Sequence, residues 1–205
     1  TGVFNENRYF DVQAEYAKLG ETDTCIKITV SNRGPESASI HVLPTLWFRN
    51  TWSWDNKPKP SLTGTKNVQG KSFDSIHAQP VDGEDLSPMM LYANQAQDLL
   101  FVDNETNFEK LWGSKNSSTF PKDGINDFIV SGQQTVNPAL TGTKASASYF
   151  LALAPGESHV IELRLSDKLA LEQPFDQNYT GVFDTRIAEA DEFYASISPQ
   201  NLSDE

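Results

Sequence analysis

The sequence predicts a mainly β, antiparallel sandwich with a C-terminal helix, on three observations. Apolar and polar residues alternate through most of the first 167 positions, and turn-forming residues separate the runs. The period lengthens to about 3.6 only near the C-terminus. A chain of 205 residues, 38% hydrophobic and 21% charged, suits one globular domain with a short appendage.

The elements follow in order. Over residues 9–16, Phe10, Val12, Ala14 and Tyr16 share one face while Asp11, Gln13 and Glu15 share the other, which predicts a half-buried antiparallel strand. Ile26, Ile28 and Val30 repeat the pattern against Lys27, Thr29 and Ser31, and Asn32-Arg33-Gly34-Pro35 supplies turn chemistry. A third strand spans 40–48. Leu43 and Trp47 make its second face apolar as well, predicting cover on both sides, and Pro44 removes a ladder donor, predicting a bulge or an edge. Residues 50–88 read as loops and short strands, with apolar pieces around Val68, Phe73 and Ile76. Brief strands are predicted at 89–92, 99–102 and 108–112, a long surface loop at 114–124, and a tight turn at 122–127 entering a strand at 128–130.

Ala147, Tyr149, Leu151 and Leu153, the turn Ala154-Pro155-Gly156-Glu157, and Ile161, Leu163 and Leu165 predict an antiparallel hairpin. Phe183, Ile187, Ala190, Tyr194 and Ile197 then recur at steps of four and three, placing them along one stripe of a helix between Gly181 and Pro199. An isolated helix of this length is marginal. Its stripe must dock on the sandwich or on something outside this chain, and 200–205 reads as a polar linker. The expected organisation is a β-sandwich domain over 1–167 and a helical linker over 168–205.

Composition excludes several classes. With 28 acidic against 16 basic residues and a formal charge of -12, the chain lacks the basic footprint that nucleic acid or an anionic membrane requires, whereas neutral ligands such as sugars remain open. No apolar run approaches the roughly 20 residues of a membrane span. The single Cys25 sits inside an apolar alternation and reads as a core thiol. His41, His77 and His159 lie far apart without ligand spacing, so neither a metal nor a cofactor is expected. Thr1 is expected to be a cut boundary rather than a native start, and the location expected for the chain is the cytoplasm.

Several motifs combine into a recognisable string: Thr1-Gly2-Val3-Phe4, Arg8-Tyr9-Phe10-Asp11-Val12, Asn32-Arg33-Gly34-Pro35, the run from Leu43 through Trp47, Arg49, Asn50 and Trp52 to Trp54, Lys122-Asp123-Gly124-Ile125-Asn126-Asp127, and Asn137-Pro138-Ala139. Together they resemble large bacterial members of glycoside hydrolase family 63, the mannosyl-oligosaccharide glucosidase-like proteins, over nearly the whole chain. The resemblance implies an N-terminal β-sandwich of the supersandwich type, joined by a helical linker to an (α/α)6 barrel that carries the catalytic carboxylates. It implies glucosidase-type hydrolysis of an O-glycosidic bond with inversion by the parent protein, with the barrel of the same polypeptide as partner. No catalytic position falls on this chain, so the chain alone is expected to be inactive. The resemblance also implies a start partway into the family's N-terminal region, which leaves the completeness of both sheets open.

Candidate site residues lie in two loops. Trp47, Arg49, Asn50, Trp52 and Trp54 combine flat aromatic faces with polar donors, suiting either the face of a sugar ring or an interface with the barrel, and the interface is favoured. Lys122, Asp123, Asn126 and Asp127 form the second loop. A small hydrolase built on Asp123 and Asp127 is a weaker reading, because Asp at a turn more often caps backbone groups. An autonomous carbohydrate-binding module using Trp52 and Trp54 is the alternative to the barrel-packing domain. Asn104-Glu105-Thr106, like three similar tripeptides, matches a glycosylation sequon and is discounted.

Overall fold

Alternation in the sequence becomes two antiparallel sheets stacked face to face. The computed structural model describes residues 2, 4–55, 57–83 and 86–199. The polar linker expected at 200–205, and Thr1 and Val3 of the first motif, lie outside the described residues. The elements are β1 (Phe10–Gly20), β2 (Asp23–Asn32), β3 (Ala38–Val42), β4 (Thr45–Trp47), α1 (Trp52–Asp55), β5 (Ser61–Thr65), β6 (Phe73–Gln79), β7 (Met89–Asn94), β8 (Asp98–Val102), α2 (Phe108–Trp112), α3 (Gly124–Ser131), β9 (Thr141–Gly142), β10 (Lys144–Leu153), β11 (Ser158–Ser166) and α4 (Gln177–Ile197). Among the described residues no helix is long and apolar enough to cross a membrane.

The larger sheet runs β1-β2-β11-β7-β6-β5-β9. In the smaller one β10 is central: β3 pairs with 149–153 and β4 with 144–146, end to end along one edge, while β8 pairs with 144–148 along the other. The break between β3 and β4 falls at Leu43 and Pro44, where the Ala147 N–H donates to the Pro44 carbonyl at 3.0 Å, so the proline marks an interrupted edge as its missing donor requires. Between the sheets lie Val30, Ile76, Leu62, Phe101, Ala147, Leu151, Ile161 and Leu163. Each large aliphatic side chain buried there contributes about 1.5–3 kcal/mol.

Three expectations are corrected. The strands around residues 154–157 are not a paired hairpin: β10 belongs to the small sheet and β11 to the large one. The turn at Gly156 (φ 74°) carries the chain across the core, so Leu151 and Leu153 pack in the same core cluster as Ile161 and Leu163 instead of lying beside them in one sheet. Two alternating apolar rows can be buried by pairing or by stacking, and the pattern is the same in both. Residues 108–112 and 128–130 are helical, not strands. Asn107 caps α2 by accepting from the Lys110 N–H, Gly113 ends it with φ 68°, and the predicted turn at 122–127 runs directly into α3. Short apolar runs do not distinguish the two periods. Finally, the row Phe10, Val12, Ala14 and Tyr16 is not buried along its length: only Phe10 packs on the core, and Val12 and Tyr16 are 49% and 69% exposed.

The C-terminal helix begins six residues earlier than the stripe suggests. Asp176 caps it by accepting from the Tyr179 N–H, and Gly181 lies inside it. Only its first turns dock. Tyr179, Val182 and Phe183 cover Ala17 and Cys25 on the outer face of the large sheet, and the Tyr179 hydroxyl donates to the Ile26 carbonyl at 2.6 Å. Cys25 is fully buried there, and burial pushes its thiol up to about 11, in keeping with a core role.

The same outer face holds a buried ion pair. Arg164 of β11 grips Asp23 of β2 through two hydrogen bonds of 2.8 and 2.7 Å, and its remaining nitrogen donates to the Pro174 carbonyl at 2.9 Å. Burial would raise the Asp23 pKa, but Arg164 and Lys168 outweigh it and hold the carboxyl below its ordinary 3.8. Because the folded value is the lower one, the pair contributes fully at neutral pH, and its contribution is lost as pH falls below 3.8 through the depressed folded value. Arg164→Met, which strands the carboxylate, is expected to cost about 3–5 kcal/mol in urea titrations at pH 7, and the gap to wild type should narrow on acidification through that window.

Candidate functional site

Both sequence-predicted loops converge on one segment, residues 103–107, between β8 and α2. Asn50 donates to the Asn104 carbonyl at 2.9 Å and to Glu105 Oε2 at 3.2 Å, while the Asn104 side chain donates back to the Phe48 carbonyl at 2.9 Å. From the other loop, the Lys122 N–H donates to the Glu105 carbonyl at 2.9 Å, and Asn107 donates to both Asp123 oxygens at 3.2 and 3.1 Å.

Glu105 is the centre of this knot. The residue is 4% exposed, and its carboxylate accepts from Trp52 Nε1 at 2.8 Å, Lys59 Nζ at 2.8 Å and Asn50. Burial would raise its pKa, but these donors prevail and hold it below the ordinary 4.5. Sequence reasoning missed Glu105, having weighed it only as the middle of a sequon. A glutamate three residues beyond an apolar strand end carries no pattern that announces a buried partner.

The knot settles the geometry of the tryptophans. Trp52 is buried and its indole N–H is committed to Glu105, so little of it is left to face a ligand, although it contributes to the lining of the groove beside Arg49 and Pro60. Trp54 is exposed, with the Arg49 guanidinium 5.4 Å from its ring centroid. Trp47 points away from the sheet interior that Leu46 and Phe48 pack against, and borders an apolar groove of about 230 Å³ with Leu86 and Met89. An adjoining groove of about 320 Å³ shares Phe48 and Leu86 and continues to Arg49 and Pro60.

The second loop forms a polar cleft of about 300 Å³ lined by Asn107, Lys110, Asn116, Asp123, Asp127 and Thr135. Lys110 stands between the two carboxylates, 3.2 Å from Asp123 and 3.0 Å from Asp127. Hydrogen bonds from Lys110 and Asn126 hold Asp127 below the usual carboxylate range, and the hydrogen bonds of Lys110 to Asp127 and Asp123 raise its own pKa. A general acid requires the opposite shift, so Asp127 does not carry the raised pKa of that role. Lys122 and Asn126 are exposed and do not line the cleft. Gly124 is required by a close approach: a Cβ there would meet the Thr135 carbonyl oxygen at 2.3 Å, and Thr135 Oγ1 donates to the Gly124 carbonyl at 2.6 Å. Among the described residues no three His, Cys, Asp or Glu side chains converge as metal ligands do.

Glu105→Gln, which removes the charge facing Lys59, is expected to cost about 1–3 kcal/mol and to open residues 49–60 to limited proteolysis. Since the folded pKa is the depressed one, wild type should lose this stability as pH drops below 4.5, whereas the variant should lack that acid phase in pH-dependent melting curves. Gly124→Ala should lower stability by about 1–3 kcal/mol in the same assay, because the backbone of residue 135 must move.

No family model matches the chain. It is 33% identical over 244 aligned residues to the uncharacterized protein YMR196W of Saccharomyces cerevisiae, an alignment covering 98% of this chain and 21% of that protein. The chain therefore spans about a fifth of the length of the curated relative it matches.

Proposed function

We propose that this chain is a non-catalytic sandwich domain of a larger glycoside hydrolase of the family 63 type, and that its work is to pack against the catalytic barrel of the same polypeptide. The observation that carries the packing role is α4. From residue 184 onward every described position of the helix is exposed, including Ile187, Phe193, Tyr194 and Ile197. That is about 20 Å of helix without tertiary cover. Helices of this length are not stable on local propensity alone, and a stripe of large apolar side chains on one belongs against a partner.

Two further features support the reading. The curated relative is about five times as long as the segment it shares with this chain, leaving room for a separate catalytic unit. The apolar grooves beside Trp47, Arg49 and Leu86 have the composition of an interface core, with aromatic groups and arginine together. The glycosidase assignment itself rests on the motif resemblance. The carbohydrate-module alternative draws less support, since Trp52 is buried and Arg49 stands over Trp54.

The full polypeptide is expected to hydrolyse an aryl glucoside, the isolated chain to show no turnover, and the double variant Ile187→Asp/Tyr194→Asp to reduce the activity of the full polypeptide at least about tenfold by loosening the domain contact. Turnover by the isolated chain that Asp123→Asn abolishes would overturn the proposal. So would saturable oligosaccharide binding by the isolated chain that is lost with Trp54→Ala.

A further inference from the structure

The two sheets differ in width, and the difference is not shared between their flanks. Because β3 and β4 line up along a single edge of β10, the small sheet is three strands wide where it faces seven. At one corner the sheets are joined. β9 pairs with β5 in the large sheet, the chain passes through Thr143 into β10, and the ring of Phe101 on β8 packs so closely on Gly64 of β5 that a Cβ there would lie 2.7 Å from it. With that corner closed, the uncovered width falls at the opposite edge, on β1.

Three observations describe the gap. The inward row of β1 is apolar and alternating, yet Val12, Ala14 and Tyr16 are exposed, while Phe10 of the same row is packed in the core. The start of β1 meets the start of β3 around a cavity of about 130 Å³ lined by Tyr9, Phe10, Asn32 and Ala38, so β3 is the small-sheet strand nearest the bare row. Among the described residues nothing pairs with the second edge of β3. A bare apolar row facing an open ladder edge is a site for strand addition: backbone groups of β3 supply the hydrogen bonds, and the row on β1 receives alternate side chains.

We infer that an extended segment of the same polypeptide, outside residues 1–205, adds to the free edge of β3 and buries Val12, Ala14 and Tyr16. The site is continuous with the sandwich core through Phe10 and Ile40, and the relative's length provides the chain to fill it. The occupant is an amphipathic strand with apolar residues at every second position. Nothing in this inference depends on glycosidase chemistry.

The test uses the full polypeptide. Hydrogen exchange of the β3 peptide, residues 38–42, should be slowed about tenfold or more relative to a one-sided edge strand. Benzoylphenylalanine placed at Tyr16 should cross-link within one polypeptide to a peptide lying outside 1–205. Exchange of 38–42 at the rate of an open edge would overturn the inference in the unmodified protein, whatever the cross-linker does to folding. Cross-links formed only between two copies, or only within 1–205, would also overturn it. These readouts report pairing, not turnover, so an inactive polypeptide leaves the result standing.

Discussion

A sheet of seven strands cannot be dried by one that is three strands wide, and each sheet has an outer face that needs cover of its own. On the outer face of the small sheet, the cover is α3 and its flanking loops. Ile125, Phe128, Phe120 and Val136 close over Leu100 and Val102, and this is why the loop carrying Asp123 and Asp127 sits where it does. On the outer face of the large sheet, the cover is the segment that leads into α4. An edge-to-face series of Phe73, Phe175, Tyr179 and Phe183 crosses that sheet, with ring centroids 5.2–6.3 Å apart. What these elements do not reach stays bare, on β1 and on the distal half of α4.

Buried charge serves placement in this molecule. Asp23 with Arg164, and Glu105 with Lys59 and Trp52, each join segments distant in sequence, and each carboxylate keeps its charge because several donors converge on it. The first pair pins the approach to α4 against β2 and β11. The second ties the loop of Trp52 and Trp54 to the loop of Lys122 and Asp127, so the two candidate segments behave as one surface. Such ties add little net stability against an apolar replacement, but they break expensively, which suits a surface that must keep its shape for a partner.

The candidate site was legible in part. The aromatic run at Trp47, Trp52 and Trp54 and the turn at 122–127 stand out by composition, and the structure does bring Trp52 onto the 103–107 segment, whose Asn107 also holds Asp123. What composition could not show is that Trp52 turns inward, because an indole that packs and one that faces solvent look alike in sequence. Glu105, Asn107 and Lys110 were invisible for a related reason: their roles are defined by partners up to 55 residues away.

The sequence by itself determined the β class, the period-two strands of β1, β2, β10 and β11, the brief apolar strands β7 and β8, the interruption at Pro44 and the existence of a C-terminal amphipathic helix, since each depends on local spacing and backbone chemistry. Tertiary structure alone decided that β10 and β11 lie in different sheets, that 108–112 and 128–130 are helical, and which apolar rows are covered. Local pattern specifies that a face is apolar. Only the stacking of the sheets, with their unequal widths, specifies what it meets.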